Sequence, residues 1–156
     1  MDIIKILVDA DACPVKDEIY KVAYRHEVEV VVVSNSHFRI PQHPLVSRVV
    51  VSDGFDAADD YVAEQTNAKS VVITSDILLA DRCLKAGAIV LGSNGKPFTE
   101  NSIGAAIATR AIMEDLRAGG DGMGSNLGGP APFSKSDRSR FLSALDEALN
   151  KLKRLG

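Results

Sequence analysis

The chain has 156 residues, of which 46% are hydrophobic and 25% are charged, and its formal net charge is −3 at pH 7. This length suits one domain whose core needs no disulfide staples, and the balance of apolar and charged residues argues against disorder. The small negative charge argues against a protein that coats nucleic acid without catalysis, although an enzyme that holds phosphates through metal ions remains compatible with it.

The two cysteines, Cys13 and Cys83, have no metal-ligand spacing and predict no disulfide framework. The first residues lack the basic region and the cleavage site of a signal peptide. No apolar run approaches the ~20 residues that a transmembrane helix needs. The sequence therefore predicts a cytoplasmic protein without a membrane-spanning segment.

A short apolar run over residues 3–8 ends abruptly in two carboxylates, Asp9 and Asp11, and Pro14 follows closely. This pattern predicts a buried strand that carries both carboxylates at its carboxyl end. Pro14 suits the first turn of a helix, where its missing N–H leaves no hydrogen bond unmade. Ligands collect at the carboxyl ends of strands in open α/β sheets, so the first candidate site lies here.

Apolar runs and helical patterns alternate along most of the chain. Strands are predicted over residues 3–8, 29–33, 46–51, 70–73 and 88–91, and helices over residues 14–26, 56–67, 77–86 and 102–118. Such alternation indicates βαβ units and a three-layer αβα fold with a central, mainly parallel sheet of about five strands. Two helices have an expected inward face: Ala57, Tyr61 and either Ala58 or Val62 on one, and Ile77, Leu78, Ala80 and Leu84 on the other.

The chain changes character over residues 119–133, which are rich in glycine and proline. We interpret this segment as a flexible loop, with a lid or a phosphate-binding nest as the less favoured alternative. Ser134 and Asp137 then have the spacing of a capping box for a last helix. The whole chain is predicted to be one domain, with an α/β core over 1–118 and this helix over 134–156. Its apolar stripe is assigned to the core, with a dimer face as the alternative, and contains Phe141, Leu145, Ala148, Leu149, Leu152 and Leu155.

Carboxylates follow three of the predicted strands. Asp9 and Asp11 follow the first strand, Asp76 follows the fourth, and the third is followed by Asp53, Asp56, Asp59 and Asp60. Because parallel strands end at one edge of the sheet, these side chains are expected to converge. Clustered carboxylates need a cation near neutral pH, and oxygen ligands favour Mg²⁺ or Mn²⁺. Such sites hydrolyse phosphate esters and phosphodiesters.

Each of these side chains also has a structural interpretation. Asp53 precedes a glycine in a predicted turn, and Asp56 and Asp76 are placed to cap helices. Asp59 and Asp60 are neighbours on a helix and cannot share one face. Cys13 stands where a helix N-terminus would lower the pKa of a nucleophilic thiol, but we favour a small residue packed behind the acidic turn.

The string Val8-Asp9-Ala10-Asp11-Ala12-Cys13-Pro14-Val15 resembles the signature of the YaiI/YqxD family of small bacterial proteins, and residues 55–59, 72–80 and 128–130 resemble its later motifs. That family is similar to the PIN-like nucleases, α/β domains that cleave RNA at an acidic Mg²⁺ or Mn²⁺ site. The resemblance implies that Asp9 and Asp76 match two of the PIN acids, with Asp56, Asp59 or Asp60 near a third. Residues 92–94, where the fourth would fall, contain no carboxylate.

The leading hypothesis is a metal-dependent nuclease that acts on RNA or another nucleic acid, with RNA favoured, and a homodimer is compatible with it. Its predicted metal ligands are Asp9, Asp11 and Asp76, assisted by Asp59 or Asp60, and its predicted catalytic residues are Asp9, Asp11, Asp59 and Asp76. Its candidate substrate-binding residues are Thr74, Ser75, Asn94, Lys135 and Arg138. The first alternative is a non-catalytic RNA- or nucleotide-binding module. A haloacid-dehalogenase-type phosphatase is less favoured, because Pro14 opens a helix where that fold places a flap.

Overall fold

The computed structural model describes residues 3–10, 13–35, 39–51, 57–118 and 134–155, and strands alternate with helices in this part of the chain. The strands are β1 (Lys5–Asp9), β2 (Glu29–Ser34), β3 (Val46–Val50), β4 (Ser70–Ile73) and β5 (Ile89–Leu91). The helices are α1 (Lys16–His26), α2 (Ala57–Gln65), α3 (Ile77–Lys85), α4 (Glu100–Ala118) and α5 (Lys135–Leu155). The predicted alternation of strands and helices is confirmed, with boundaries shifted by a few residues.

The five strands form one sheet in the order β3-β2-β1-β4-β5, and every neighbouring pair is parallel. β1 is central and pairs with both β2 and β4. The chain runs outward from β1 through β2 to β3, then returns to the other side of β1 to place β4 and β5. The strand order therefore reverses between β1 and β4, which is the place where open α/β sheets form a crevice for ligands.

The alternation of side chains along β1 divides the core between the two faces of the sheet. Ile6 and Val8 contact the layer of α1 and α5, whereas Leu7 contacts the layer of α2, α3 and α4. All three side chains are fully buried. The three-layer α/β fold predicted from the sequence is thus confirmed. In the part of the chain that the structure describes, no helix is long and apolar enough to cross a membrane.

Helix α3 is rotated relative to the expected inward face. Leu79 and Cys83 are buried against the sheet, together with the expected Ala80, while Leu78 is 58% exposed. Residues 77–80 are all apolar, so their spacing could not define the rotation. The expectation that Leu78 faces the core was therefore wrong.

Helix α2 resolves an alternative that the sequence left open. Both Ala58 and Val62 are buried, while Ala57 and Tyr61 are only half-buried. Ala58 and Val62 form the centre of the inward face, because their side chains lie in the core cluster that contains α3. Ala57 and Tyr61 lie at the margin of that face.

Helix α5 begins with the predicted capping box. The Ser134 N–H donates to Asp137 Oδ2 at 3.1 Å, and the Asp137 N–H donates to Ser134 Oγ at 3.1 Å. The described members of its apolar stripe are buried in the same core cluster as α1: Phe141, Leu145, Ala148, Leu149 and Leu152. The assignment of this stripe to the core is confirmed for these residues.

The last turn of α1 is joined to α5 by polar contacts. Asp146 Oδ1 lies 2.8 Å from Arg25 Nη2 and 2.6 Å from His26 Nε2. Near the N-termini of the same helices, Arg138 Nε lies 2.9 Å from Glu18 Oε1. The two helices therefore lie side by side in the same direction.

The division into core, loop and last helix stays a prediction, and residues 119–133 lie outside the described part of the chain.

The capping box makes the stability of α5 sensitive to acid. Hydrogen bonds from the Ser134 amide and hydroxyl hold the pKa of Asp137 below its ordinary value, with a smaller contribution from Arg140. A carboxylate with a lowered pKa in the folded state stabilises the fold above its unfolded pKa, and this contribution is lost as the pH falls through the folded pKa. The Asp137→Ala variant should thus be less stable than wild type at pH 7, and the difference should disappear in acid. Thermal unfolding from neutral to acidic pH measures it, and a difference independent of pH would contradict this explanation.

Candidate functional site

The carboxyl ends of β1 and β4 are joined by a side-chain hydrogen bond. Asp9 is the last residue of β1, and Thr74 directly follows β4. The Thr74 hydroxyl donates to Asp9 Oδ2 at 2.9 Å. The two residues are 65 positions apart in the chain and meet because β1 and β4 are neighbours in the sheet. This contact lies at the reversal of strand order, where open α/β sheets bind ligands.

Burial and two hydrogen bonds fix the position of Thr74, so its hydroxyl holds the Asp9 carboxylate in one orientation. It is buried, its N–H donates to the Leu91 carbonyl at 3.1 Å, and its hydroxyl oxygen accepts from the Asp76 N–H at 3.0 Å. With that amide as its donor, the hydroxyl directs its own proton to Asp9. On the other side of β1, the Ala10 N–H donates to the Val33 carbonyl at 2.9 Å. The position and the rotamer of Asp9 are therefore both constrained.

Asp76 caps α3. Its Oδ1 accepts from the Leu78 N–H at 2.9 Å and from the Leu79 N–H at 3.1 Å, while its Oδ2 takes part in neither bond. The capping interpretation of Asp76 is confirmed. A second role as a metal ligand through Oδ2 stays a prediction.

Asp59 and Asp60 diverge on α2, as expected for neighbours on a helix. Asp60 is exposed, and its Oδ1 lies 2.9 Å from Arg82 Nη1 on α3. This hydrogen bond raises the pKa of the Arg82 guanidinium. Asp59 is half-buried. The proposed assistance of either residue in metal binding stays a prediction.

Three of the predicted acids, Asp11, Asp53 and Asp56, lie outside the described residues. Over residues 3–10, 13–35, 39–51, 57–118 and 134–155, no group of three or more His, Cys, Asp or Glu side chains could hold a metal ion. Asp9 and Asp76 follow neighbouring strands but do not form such a group with Asp59 and Asp60. A divalent ion here would need a further ligand from Asp11, from water or from the substrate.

The polar residues after β5 form a tight turn. Asn94 Oδ1 accepts from the Lys96 N–H at 3.0 Å, and the Gly95 N–H donates to the Gly92 carbonyl at 3.0 Å. Gly95 has φ +82°, and a Cβ there would lie 2.6 Å from the Arg140 carbonyl carbon of α5. The turn therefore packs directly on the first two turns of α5. The internal bond of Asn94 gives it a structural role, and its role in substrate binding stays a prediction.

The other candidate substrate-binding residues differ in their surroundings. Ser75 and Lys135 are exposed, whereas Arg138 pairs with Glu18, whose side chain is only 12% exposed. α1 begins shortly after β1, and α5 packs on the turn after β5. Arg138 thus lies at the same end of the fold as Asp9.

Cys13 lies between β1 and α1, and its N–H donates to the Ala10 carbonyl at 3.3 Å. Burial raises the pKa of its thiol, and this effect outweighs the hydrogen bond with the Val15 backbone and the charge of Lys16. The side chain packs against the core cluster of α1 and α5. A protonated, half-buried thiol supports the packing interpretation over a nucleophile.

The bond between Thr74 and Asp9 was missed by the sequence analysis, which considered Thr74 only as a substrate-binding residue. The available signal was a threonine directly after one strand and an aspartate at the end of another. Which strands are neighbours depends on the strand order of the sheet. That order is a long-range property, and alternation of strands and helices does not specify it.

These features define an α/β protein with an all-parallel sheet and hydrogen-bonded polar side chains at its topological switch point. The chain belongs to the family described as "Uncharacterized BCR, YaiI/YqxD family", whose model matches residues 7–151. The resemblance to this family is confirmed. The likeness of this family to PIN-like nucleases stays a prediction. No solved structure matches the chain.

Three relatives cover almost the whole chain. A UPF0178 protein of Sphingopyxis alaskensis is 71% identical over 149 residues, which are 96% of this chain and 95% of the relative. A UPF0178 protein of Nitrobacter winogradskyi is 54% identical over 99% of this chain and 96% of its own length. One from Jannaschia sp. is 57% identical over 95% of this chain and 94% of its own length. The similarity thus extends over nearly the whole chain.

Proposed function

We propose that this protein is a divalent-metal-dependent phosphodiesterase that cleaves RNA in the crevice between the carboxyl ends of β1 and β4. The observation that carries the proposal is the hydrogen bond from Thr74 to Asp9. It fixes one carboxylate at the switch point of the sheet, through a buried hydroxyl that is itself positioned by the Asp76 amide. A carboxylate oriented in this way is typical of a metal ligand supported by a second layer of hydrogen bonds.

The carboxylate donors suit Mg²⁺ or Mn²⁺. Asp9, Asp11 and Asp76 would hold the ion, with Asp59 or Asp60 assisting. Mg²⁺ commonly binds through one or two carboxylates and completes its coordination with water and substrate phosphate, so a site smaller than three protein carboxylates is compatible with it. When bound, such an ion supplies polarisation of the phosphoryl oxygen and a lowered pKa for bound water.

The surrounding elements favour an anionic substrate. α1 and α3 each begin shortly after a strand, so their N-termini lie at the edge of the sheet that contains Asp9. α5 begins there as well, because the turn at Gly95 packs on its second turn. The partial positive charge of helix N-termini stabilises a phosphate group nearby.

The reaction needs a water molecule, an oriented phosphodiester and charge compensation. The oxygen of water forms a bond to phosphorus, one P–O ester bond breaks, and the departing oxygen takes up a proton. Lys135 and Arg138 would hold the RNA backbone on either side of the reacting phosphate. To contact a phosphate, the Arg138 guanidinium would share or exchange its contact with Glu18.

A second candidate is an RNA- or nucleotide-binding module without catalysis. The observation in its favour is that three of the predicted polar residues make internal bonds. Asp76 caps α3, Asp60 pairs with Arg82, and Asn94 closes a turn. If these side chains serve only such structural roles, the site would not hold a metal ion, and it would bind RNA or a nucleotide without cleaving it.

Metal removal tests the proposal. Isothermal titration of Mn²⁺ into the full-length protein should show binding, and a fluorophore-labelled single-stranded RNA should be cleaved with Mn²⁺ but not in excess EDTA. A phosphodiester model substrate should be hydrolysed in preference to the matching phosphomonoester. RNA binding without cleavage would support the binding module instead. Preference for the monoester would support the phosphatase, and absence of Mn²⁺ binding would rule out the metal site.

A further inference from the structure

A second concave surface lies beside the crevice, on the outer side of α1. It is an open cleft of about 530 Å³, and three elements form it: α1, the segment that leads into β3, and the first turn of α5. Its volume falls within the range of small-molecule and nucleotide sites. The described residues that line it are Asp17, Glu18, Tyr20, Lys21, Tyr24, Pro41 and Arg138.

The charged residues of the cleft balance each other. Asp17 and Glu18 contribute two negative charges, and Lys21 and Arg138 contribute two positive ones. The Glu18 carboxylate and the Arg138 guanidinium already pair at 2.9 Å. A phosphate group would need an excess of positive charge, which the described residues that line the cleft do not provide. It has hydrogen-bond donors and acceptors side by side, as the edge of a heteroaromatic base requires.

The apolar part of the lining is aromatic. The Tyr24 ring stacks on the His43 ring with 4.1 Å between the ring centroids and 24° between the planes. His43 is itself held, because its Nδ1 accepts from the Leu45 N–H at 3.1 Å. His43 thus covers one face of the Tyr24 ring and holds the ring at the border of the cleft. Fixed aromatic rings are the surfaces on which unpaired bases stack.

Tyr20 adds an independent observation. It is only 7% exposed, and its hydroxyl is buried without a hydrogen-bond partner in the part of the chain that the structure describes. Burial raises the pKa of Tyr20 to about 12, so the hydroxyl stays protonated and can donate. Buried hydroxyl groups nearly always have a partner. A ligand seated in the cleft, or a water molecule trapped beneath it, would supply one.

We propose that this cleft binds an unpaired base of single-stranded RNA, with the base stacked on Tyr24 and its polar edge facing Asp17, Glu18 and Lys21. The inference rests on the proposed function and adds the substrate class, a single strand. The end of the cleft that Asp17 and Glu18 line lies toward the edge of the sheet that carries Asp9, because the first turns of α1 and α5 border both places. Duplex RNA is excluded, since its bases are stacked on each other.

The test uses a short single-stranded RNA with one 2-aminopurine, whose fluorescence falls on stacking, titrated with the full-length protein in EDTA. Wild type should bind the strand and quench its fluorescence, whereas the matching duplex should not respond. Tyr24→Leu should weaken binding by about tenfold or more, because one stacked base is lost. Tyr24→Phe keeps the ring and should bind like wild type. Tyr61→Leu, on the opposite face of the sheet, is the matched control and should also bind normally.

Lys21→Glu provides a second variant at an exposed position, in case Tyr24→Leu fails to fold. It changes the charge balance at the rim of the cleft and should weaken binding of the same strand. Equal binding by wild type and both cleft variants, or no binding by wild type, would overturn the proposal. Because EDTA removes the metal, binding that is intact while Mn²⁺-dependent cleavage is absent would reject the phosphodiesterase and retain the cleft.

Discussion

Replacing Asp9 by asparagine is expected to abolish both Mn²⁺ binding and Mn²⁺-dependent RNA cleavage. The substitution removes the negative charge and keeps the shape, and the asparagine oxygen can still accept the hydrogen bond from Thr74. The fold should therefore remain, with a thermal unfolding midpoint close to that of wild type. The loss of activity should exceed the roughly 10- to 100-fold that removal of a residue orienting a metal ligand causes. Titration calorimetry and single-turnover cleavage measure the two effects.

Thr74 variants separate a positioning role from a structural one. Thr74→Val keeps the volume but removes the hydroxyl, so Asp9 loses a donor and the Asp76 amide loses an acceptor. Mn²⁺ affinity or turnover should fall by roughly 10- to 100-fold, and Thr74→Ser should restore it. A fall in stability alone, with unchanged Mn²⁺ affinity and turnover, would mean that Thr74 only supports the fold. If the Asp9→Asn variant of the preceding prediction kept full activity, the crevice between β1 and β4 would not be the catalytic site.

Replacing Gly95 by alanine is expected to destabilise the protein by about 2–5 kcal/mol. Gly95 has φ +82°, a conformation that alanine adopts only with strain. Its Cβ would also lie 2.7 Å from both the Arg140 carbonyl oxygen and the Phe141 nitrogen, which are backbone atoms of α5 and cannot rotate away. The turn after β5 would have to separate from α5, which carries the buried Phe141. Urea unfolding gives the free energy of unfolding directly.

Gly104→Ala is the matched control for this prediction. Gly104 lies within α4, and an added Cβ would meet no atom within 4 Å. Because alanine loses less backbone entropy than glycine in a helix, this variant should be more stable than wild type by about 0.5–1 kcal/mol. If both variants behaved alike, the close approach of Gly95 to α5 would not be a determinant of stability.

Local patterns in the sequence were sufficient to predict the strands and the helices, including α5. The capping box of Ser134 and Asp137 and the stripe from Phe141 to Leu152 were correctly predicted, because both depend on residues three or four positions apart. The rotation of α3 was not predicted, because residues 77–80 are apolar on every side of the helix. Packing against the sheet, with Leu79 inward, decides that rotation.

The candidate site could be predicted only in part, because its contacts depend on which strands are neighbours. The placement of Asp9 at the end of a buried strand followed from a local pattern. Its bond with Thr74 required β4 to lie beside β1, and the aromatic cleft required α5 to lie beside α1. Such long-range contacts are determined by the packing of whole elements, which a single sequence shows only indirectly.

The position of α5 beside α1 also bears on how the protein is made. Arg25 of α1 and Asp146 of α5 are in contact although 121 positions separate them. Protein synthesis proceeds from the amino end, so the apolar face that α5 covers is completed only after residues 135–152 have left the ribosome. Until then Phe141 and Leu145 are absent from the cluster that contains Ile19 and Val22. The nascent chain therefore presents an incomplete core until α5 emerges. Its exposed apolar surface can bind chaperones and can lead to aggregation.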